Sequence, residues 1–340
     1  MSDPDPAALA DWLAARLPGT LPGGPLPRLS RIDGGQSNPT YAVDCGPTRL
    51  ILRKKPEGPI LPGAHAVERE FRVLRALEGT DVPTPRALAL EEEPGVLGTP
   101  FYVMERLDGR IFPDAALPGL SPADRRAIYL DMARTLARLH AVRPEAVGLA
   151  DFGRPGNYFA RQIARWSRQY AASPGPRIPA IDRLVDWLPA HMPPEDGASS
   201  ITHGDFRIGN LMIHPTEPRV IGVLDWELAT LGHPLADLGF AVIPWHSAPE
   251  EYGGLLGTGW RADGIPERAE FLAEYAAHAP AGTGALTPFH TAFALFRFAV
   301  IFVGIADRAR AGSAASARAA TLAPLAERFA LRALEVIDGG

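Results

Sequence analysis

The chain has 340 residues, 46% of them hydrophobic and 21% charged, which is the balance of a folded globular protein and excludes a disordered one. A net charge of -5 gives no general field for a polyanion, so no nucleic acid partner is expected. The single cysteine, Cys45, excludes an internal disulfide and a cysteine-built zinc site.

The opening MSDPDPAALADWLAARLPG lacks a basic stretch followed by an apolar one, so no signal peptide is expected and the cytoplasm is the expected compartment. Residues 6 to 17 space Ala, Leu and Trp as a helix does, and the prolines and glycines of LPGTLPGGPLP end it, which makes 1–28 a short helix and a linker. Residues 29–108 form a small lobe. Three β-rich stretches near 29–34, 39–45 and 48–54, separated by GGQSNP and CGPT, predict an antiparallel meander. AHAVEREFRVLRALEG then sets Val67, Phe71, Leu74 and Leu77 on one helical stripe, with Gly79 as the stop, and two more strands follow near 86–90 and 100–106.

Residues 109–340 change to helical character. SPADRRAIYLDMARTLARLHAV carries an N-cap serine, a proline at the first helical position and an acid in the first turn. Further helices are expected near 156–172 and near 178–190, and the stretch from roughly 236 to 336 is expected to be helical. TAFALFRFAVIFVGIADRAR is interrupted by Arg297 and reaches Asp307, so it is expected to be a buried core helix short of a membrane span, and no membrane partner is expected. The fold class is therefore α+β: two lobes, a small antiparallel-sheet lobe and a larger, mainly helical one.

Between the helices lies ITHGDFRIGNLMIHPTEPRVIGVLDWELATLGHPLADLGF, short apolar runs joined by polar and glycine-rich turns. HGDFRIGN puts Asp205 two residues after His203 and Asn210 five after Asp205, and VLDWE adds Asp225. Phosphoryl transfer needs a carboxylate to orient and deprotonate the attacking hydroxyl, and hard oxygen ligands for Mg²⁺ on the phosphates. Any one of these residues alone would be read as a turn cap or a strand end; their order and spacing, together with GHPLADL, favour chemistry. His203 is better suited to bracing its tight turn than to moving protons.

In GGQSN, LILR, VEREFRVLRAL, HGDFRIGN, VLDWE and GHPLADL, over about residues 29 to 330, the sequence resembles the aminoglycoside phosphotransferase and choline kinase superfamily, a two-lobed protein-kinase-like fold. GGQSNPTY, LRKKPEGPILPGAHAVEREFRVLRAL and GTPFYVMERLDGRIF resemble the branch of kinase domains associated with acyl-CoA dehydrogenases. The resemblance implies an ATP- and Mg²⁺-dependent phosphotransferase acting on an alcohol group. Asp205 would be the catalytic base, Asn210 and Asp225 the metal ligands, and Asp237 a brace for the catalytic loop. Arg53 stands where the superfamily places the basic residue that holds the phosphates, normally a lysine, with Lys54 as the alternative; Glu70 would be its partner. Gly34, Gly35, Ser37 and Asn38 would approach the phosphates, and the backbone near Glu105 and Arg106 the nucleotide base, ATP or GTP.

The branch also implies a hydroxyacyl-CoA or hydroxy acid as acceptor. Arg161, Arg165 and Arg168, at helical spacing, with Arg308 and Arg310, are candidates for coenzyme A phosphates, against the alternative of a solvated helix face. Three rivals remain: a protein kinase, which lacks support because no APE segment follows Asp225; an antibiotic phosphotransferase; and a nucleotide-binding pseudokinase, which would not need a base.

Overall fold

The computed structural model describes residues 4–19, 26–32, 38–58, 65–154, 156–311 and 319–339. The chain divides into two compact units, Met1–Gly109 with Ile221–Glu227, and Arg110–Val220 with Leu228–Gly340.

The first unit contains α1 (Pro6–Arg16), β1 (Arg28–Arg31), β2 (Thr40–Cys45), β3 (Thr48–Lys54), α2 (Val67–Leu77), β4 (Ala87–Glu91) and β5 (Phe101–Glu105). Its sheet is antiparallel throughout in the order β1-β2-β3-β5-β4. The β-branched and aromatic residues of β2, β3 and β5 alternate across the pleat, so Tyr41, Val43, Leu50, Leu52, Phe101 and Val103 share one buried cluster. Leu9, Trp12 and Leu13 of α1 belong to it, and Trp12 Nε1 donates to Glu91 Oε2 at 2.7 Å. The leading helix is thus part of this core, which the proline-rich segment after it does not suggest.

On α2 the buried positions are Val67, Glu70, Val73, Leu74 and Leu77. Phe71, expected on the core stripe, is only half-buried, and the acid beside it faces inward. The spacing of apolar residues cannot report a buried carboxylate whose charge is met by partners elsewhere in the chain.

The second unit contains α3 (Pro122–Ala141), α4 (Tyr158–Ala171), α5 (Pro179–Ala190), β6 (Ser200–Thr202), β7 (Leu211–Ile213), the first residue of β8 (Val220–Val223), β9 (Thr230–Gly232), α6 (Pro234–Ala241), α7 (Arg268–His278), α8 (Pro288–Arg310), α9 (Ala319–Leu322) and α10 (Leu325–Asp338). Ser121 Oγ accepts from Asp124 N at 3.1 Å and Pro122 opens α3, the capping arrangement its sequence indicates. The core is built on α8, whose Phe293, Leu295, Phe296 and Ala299 are buried among α4, α5, α6 and α10.

Two expectations are corrected here. By length and composition α8 is apolar enough to cross a bilayer despite Arg297, yet 83% of its apolar window is buried inside the protein. The stretch 236–336 is not continuously helical: between α6 and α7 the chain makes a short 3₁₀ turn at Ile243–His246 and then an irregular loop to residue 267. Pro244, Pro249 and Pro266 with five glycines between 253 and 264 remove amide donors and loosen the backbone there.

Candidate active site

The loop after β6 is fixed from behind by α6. Asp237 accepts from His203 N at 2.6 Å and Gly204 N at 2.8 Å, so one carboxylate clamps two successive amides. Gly204 has φ +84°, and a Cβ there would lie 2.7 Å from Leu228 O, which is why the turn takes glycine. Arg297 of α8 donates to Gly204 O. Asp237 is 1% exposed; burial alone would raise its carboxyl, but His140, His203 and the Gly204 amide outweigh it and hold it below the usual range. His140 of α3 lies 3.4 Å from Asp237 through Nε2 and 2.7 Å from Tyr275 O–H of α7 through Nδ1.

Asp205 is presented by this clamped turn. Its N–H donates to His203 Nδ1 at 3.1 Å, and Asn210 Nδ2 reaches both Asp205 O at 2.9 Å and Asp205 Oδ2 at 2.7 Å. Arg207 Nε lies 3.4 Å from Asp205 Oδ2. The Asp205 side chain keeps 22% exposure, so the carboxylate is held by its neighbours and still reachable. A Nδ2-bonded Asn210 has its amide oxygen left as the end a cation would use.

In the first unit Arg53 joins two carboxylates. Its Nε is 2.8 Å from Glu70 Oε2 and its Nη2 donates to Asp225 Oδ1 at 2.6 Å. Glu70 also accepts from Asn38 Nδ2 at 2.6 Å and from Tyr102 O–H at 3.1 Å. Burial pushes the Glu70 carboxyl above the usual carboxylate range against the pull of Arg53. Burial would likewise lower Arg53, but Glu70 and Asp225 raise it and keep it charged. Asp225 has φ +67°, a strained backbone for a non-glycine residue. Lys54, one residue on and so on the other side of the pleat, reaches Glu57 Oε1 at 3.1 Å.

The remaining expected residues fall variously. Gly34, Gly35 and Ser37 lie outside the described residues. Asn38 is 1% exposed, with its amide engaged by Glu70 and, through Oδ1, His65 Nδ1 at 3.1 Å. The amides of Glu105 and Arg106 already donate to Arg86 O at 2.9 Å and Arg49 O at 3.4 Å, so neither N–H is spare for a base. Arg161 donates to Arg154 O, the Arg165 guanidinium lies 5.2 Å from the Trp166 ring, and Arg310 pairs with Asp307 at 2.5 Å.

His140, Arg297 and Arg207 escaped the sequence argument. The first two come from helices 60 or more residues away in sequence, where no local spacing marks them. Arg207 sits inside HGDFRIGN and could have been found there.

A folded unit built around an antiparallel sheet with a Glu-bearing helix, and a helical unit presenting a clamped His-x-Asp loop, is the arrangement of kinase-like phosphotransferases. The sequence profile described as the Phosphotransferase enzyme family (APH) matches residues 28–284, and the chain belongs to this family. It is 42% identical over 328 residues to acyl-CoA dehydrogenase family member 10 of Mus musculus, covering 95% of this chain and 30% of that protein. It is 47% identical over 239 residues to acyl-CoA dehydrogenase family member 11 of Gallus gallus, covering 70% of this chain and 30% of that protein. The chain thus spans about a third of the length of these curated relatives. Among solved structures it is similar to a candidate aminoglycoside phosphotransferase from Ralstonia eutropha JMP134, with 44% identity, a TM-score of 0.87 and 99% of each chain covered. The fold is accordingly α+β and protein-kinase-like, and the family is one of small-molecule phosphotransferases.

Proposed function

We propose that the chain transfers the γ-phosphoryl group of ATP to an alcohol hydroxyl of a small molecule, with Asp205 as general base. The observation that carries this is the Asp205 carboxylate itself: held by Asn210 and Arg207, still partly exposed, on a turn that Asp237 clamps through two amides. A rigidly placed, reachable carboxylate is what positioning catalysis asks for. In the step, the acceptor oxygen bonds to the γ-phosphorus as the bond from that phosphorus to the bridging oxygen of ADP breaks. The hydroxyl proton passes to Asp205 and then to solvent, leaving a phosphate monoester and ADP.

Arg53, charged and steadied by Glu70, would hold the phosphates, and Asn38 would act through Glu70. Gly34, Gly35 and Ser37 would supply backbone and hydroxyl donors to the phosphates, and the strand end at Glu105 and Arg106 would border the base. Asn210 and Asp225 are the residues that would offer Mg²⁺ an oxygen. Among the described residues no group of three His, Cys, Asp or Glu could hold a metal alone. Mg²⁺ keeps waters and binds phosphates with one or two protein oxygens, and here it would supply charge neutralisation at the phosphates.

For the acceptor, the acyl-CoA dehydrogenase relatives support a hydroxyacyl group, as a hydroxy acid or a coenzyme A thioester, whose hydroxyl phosphorylation would turn into a leaving group. The name of the Ralstonia relative favours a second reading, an aminoglycoside acceptor. ADP formation is to be measured with hydroxy acids, hydroxyacyl-CoAs, amino sugars and choline under one ATP and Mg²⁺ concentration. Turnover with the acyl alcohols is expected. Turnover with amino sugars alone would replace the acceptor, and ADP formation that no alcohol raises above the alcohol-free rate would remove the kinase assignment.

A further inference from the structure

Behind the clamped turn a polar chain runs into the core of the second unit. Tyr275 of α7 meets His140 Nδ1 at 2.7 Å, and His140 Nε2 lies 3.4 Å from Asp237 Oδ2. That same carboxylate takes the His203 and Gly204 amides at 2.6 and 2.8 Å. The His140 and Asp237 side chains are 0% and 1% exposed and Tyr275 is 2% exposed, so each hydrogen must find its partner inside the protein.

Where those hydrogens sit follows from the donors and acceptors present. Burial, and then the charge of Asp237, push the Tyr275 hydroxyl up, so it keeps its hydrogen. Among the described residues the acceptor for it is His140 Nδ1. A proton on Nδ1 would leave the hydroxyl hydrogen buried without an acceptor; in a neutral ring it would also turn a bare Nε2 toward the carboxylate, lone pair against lone pair. With Nδ1 bare, Nε2 carries the proton and donates to Asp237.

Asp237 then holds three N–H donors, two from the turn and one from α3. The third comes from a different element and resists rotation of the carboxylate off the turn. Burying a hydroxyl and an imidazole costs more than burying Phe and Leu, so packing alone does not account for the pair.

We propose that His140 and Tyr275 are positioning residues for the reaction: Tyr275 holds the His140 ring with Nε2–H toward Asp237, and His140 so locks the carboxylate onto the turn that presents Asp205. The kinetic consequence rests on the phosphotransferase assignment, whereas the hydrogen-bond chain stands without it. A base displaced by about 1 Å loses up to about a hundredfold in rate. ATP binding should change little, because Arg53 and Glu70 belong to the other unit.

Two substitutions in the full chain separate the two ends of the imidazole. Glutamine at 140 is long enough to place its amide nitrogen where Nε2 stood and reach Asp237, leaving Tyr275 without an acceptor. Asparagine, one methylene shorter, places its oxygen where Nδ1 stood and serves Tyr275 alone. Each leaves one buried partner unserved, so the two variants should melt at similar temperatures. Yet kcat should fall about threefold in His140→Gln and about thirtyfold in His140→Asn, with the ATP KM within about twofold of wild type in both. Tyr275→Phe frees the ring to turn and should lower kcat about tenfold. Amide exchange at His203 and Gly204, measured against buried amides of α8, should quicken about tenfold in His140→Asn and less in His140→Gln. Nitrogen NMR of labelled histidine, with the His140 signal assigned by its loss in His140→Gln, should show a protonated Nε2 and a bare Nδ1 in the wild type. A protonated Nδ1, equal amide exchange or equal kcat in the Gln and Asn variants, or an unaltered Tyr275→Phe would overturn the proposal. Because the spectra and exchange rates need no substrate, failure of the kinase assignment shows separately, as absence of alcohol-dependent ADP formation in the wild type.

Discussion

Arg53 donates to Asp225 at 2.6 Å while its Nε lies 2.8 Å from Glu70, so a single guanidinium ties the carboxylate beyond β8 to the buried carboxylate of α2. A planar fork can face two acids at once, which a lysine ammonium does less well, and this accounts for an arginine at a position where the superfamily resemblance leads one to expect lysine.

The first prediction follows from that geometry. Arg53→Ala should raise the ATP KM at least about tenfold and cost about 2 kcal/mol of stability, less than for a rigid buried ion pair because Glu70 can take up a proton and keeps Asn38 and Tyr102. Lys54→Ala should change the ATP KM by less than about threefold, since Lys54 pairs with Glu57 while Glu70 and Asp225 pair with Arg53. Steady-state kinetics and urea melts on both variants decide it, and the reverse ranking would pass the phosphate-binding role to Lys54.

The second concerns the base. Asp205→Asn keeps the shape and the Asn210 neighbour but removes the proton acceptor, so kcat should fall by about two to four orders of magnitude with ATP binding preserved. Isothermal titration with a nucleotide analogue gives the binding arm. Near-normal turnover would remove Asp205 from that role.

How far the sequence discloses this protein depends on the range of the signal. Capping at Ser121–Pro122, the strand alternation of β2 and β3, and the His-x-Asp–x₄–Asn spacing are local, and each reappears in the structure. Glu70, in contrast, looks like a solvated helix acid in VEREF until Asn38, Tyr102 and Arg53 converge on it. The Tyr275–His140–Asp237 chain spans three helices. Such groups are brought together by tertiary packing, to which periodicity is blind.

The third prediction addresses the clamp behind the loop. Asp237→Ala leaves the His203 and Gly204 amides buried without an acceptor and should cost about 3 kcal/mol and lower kcat with little change in ATP KM. Because the folded Asp237 carboxyl lies below its unfolded value, its stabilisation is present above the unfolded pKa and is lost as pH falls through the folded one. The acid limb of the wild-type stability profile should therefore be steeper than that of Asp237→Asn. Equal limbs in urea melts at several acidic pH values would show that the carboxylate is not held low.

The fourth prediction concerns His290, the third residue of α8, and its sign is opposite to the protonation of an exposed histidine. Its Nδ1 accepts from Thr287 N at 3.1 Å and lies 2.9 Å from Thr287 Oγ1, closing a capping box, and it is 3% exposed. Burial first, then the neighbouring His233 ring, lower its pKa to about 4, while Asp196 and the Thr287 amide pull the other way. A folded pKa below the unfolded value of about 6.5 means that the unfolded chain takes up the proton the folded one refuses. The stabilisation is thus complete above about pH 6.5 and is lost as pH falls through about 4, amounting to at most about 3 kcal/mol. Glutamine at this capping-box position accepts the same backbone N–H without titrating. His290→Gln should therefore match the wild type within about 1 kcal/mol at pH 7.5 and exceed it at pH 4.5. Taking the difference between the two proteins removes Glu70, whose raised carboxyl pKa acts in the opposite sense over part of the same window, and Asp237, which acts at lower pH. Urea midpoints at the two pH values measure it, and parallel profiles for the two proteins would mean that His290 takes its proton as readily in the folded state as in the unfolded one.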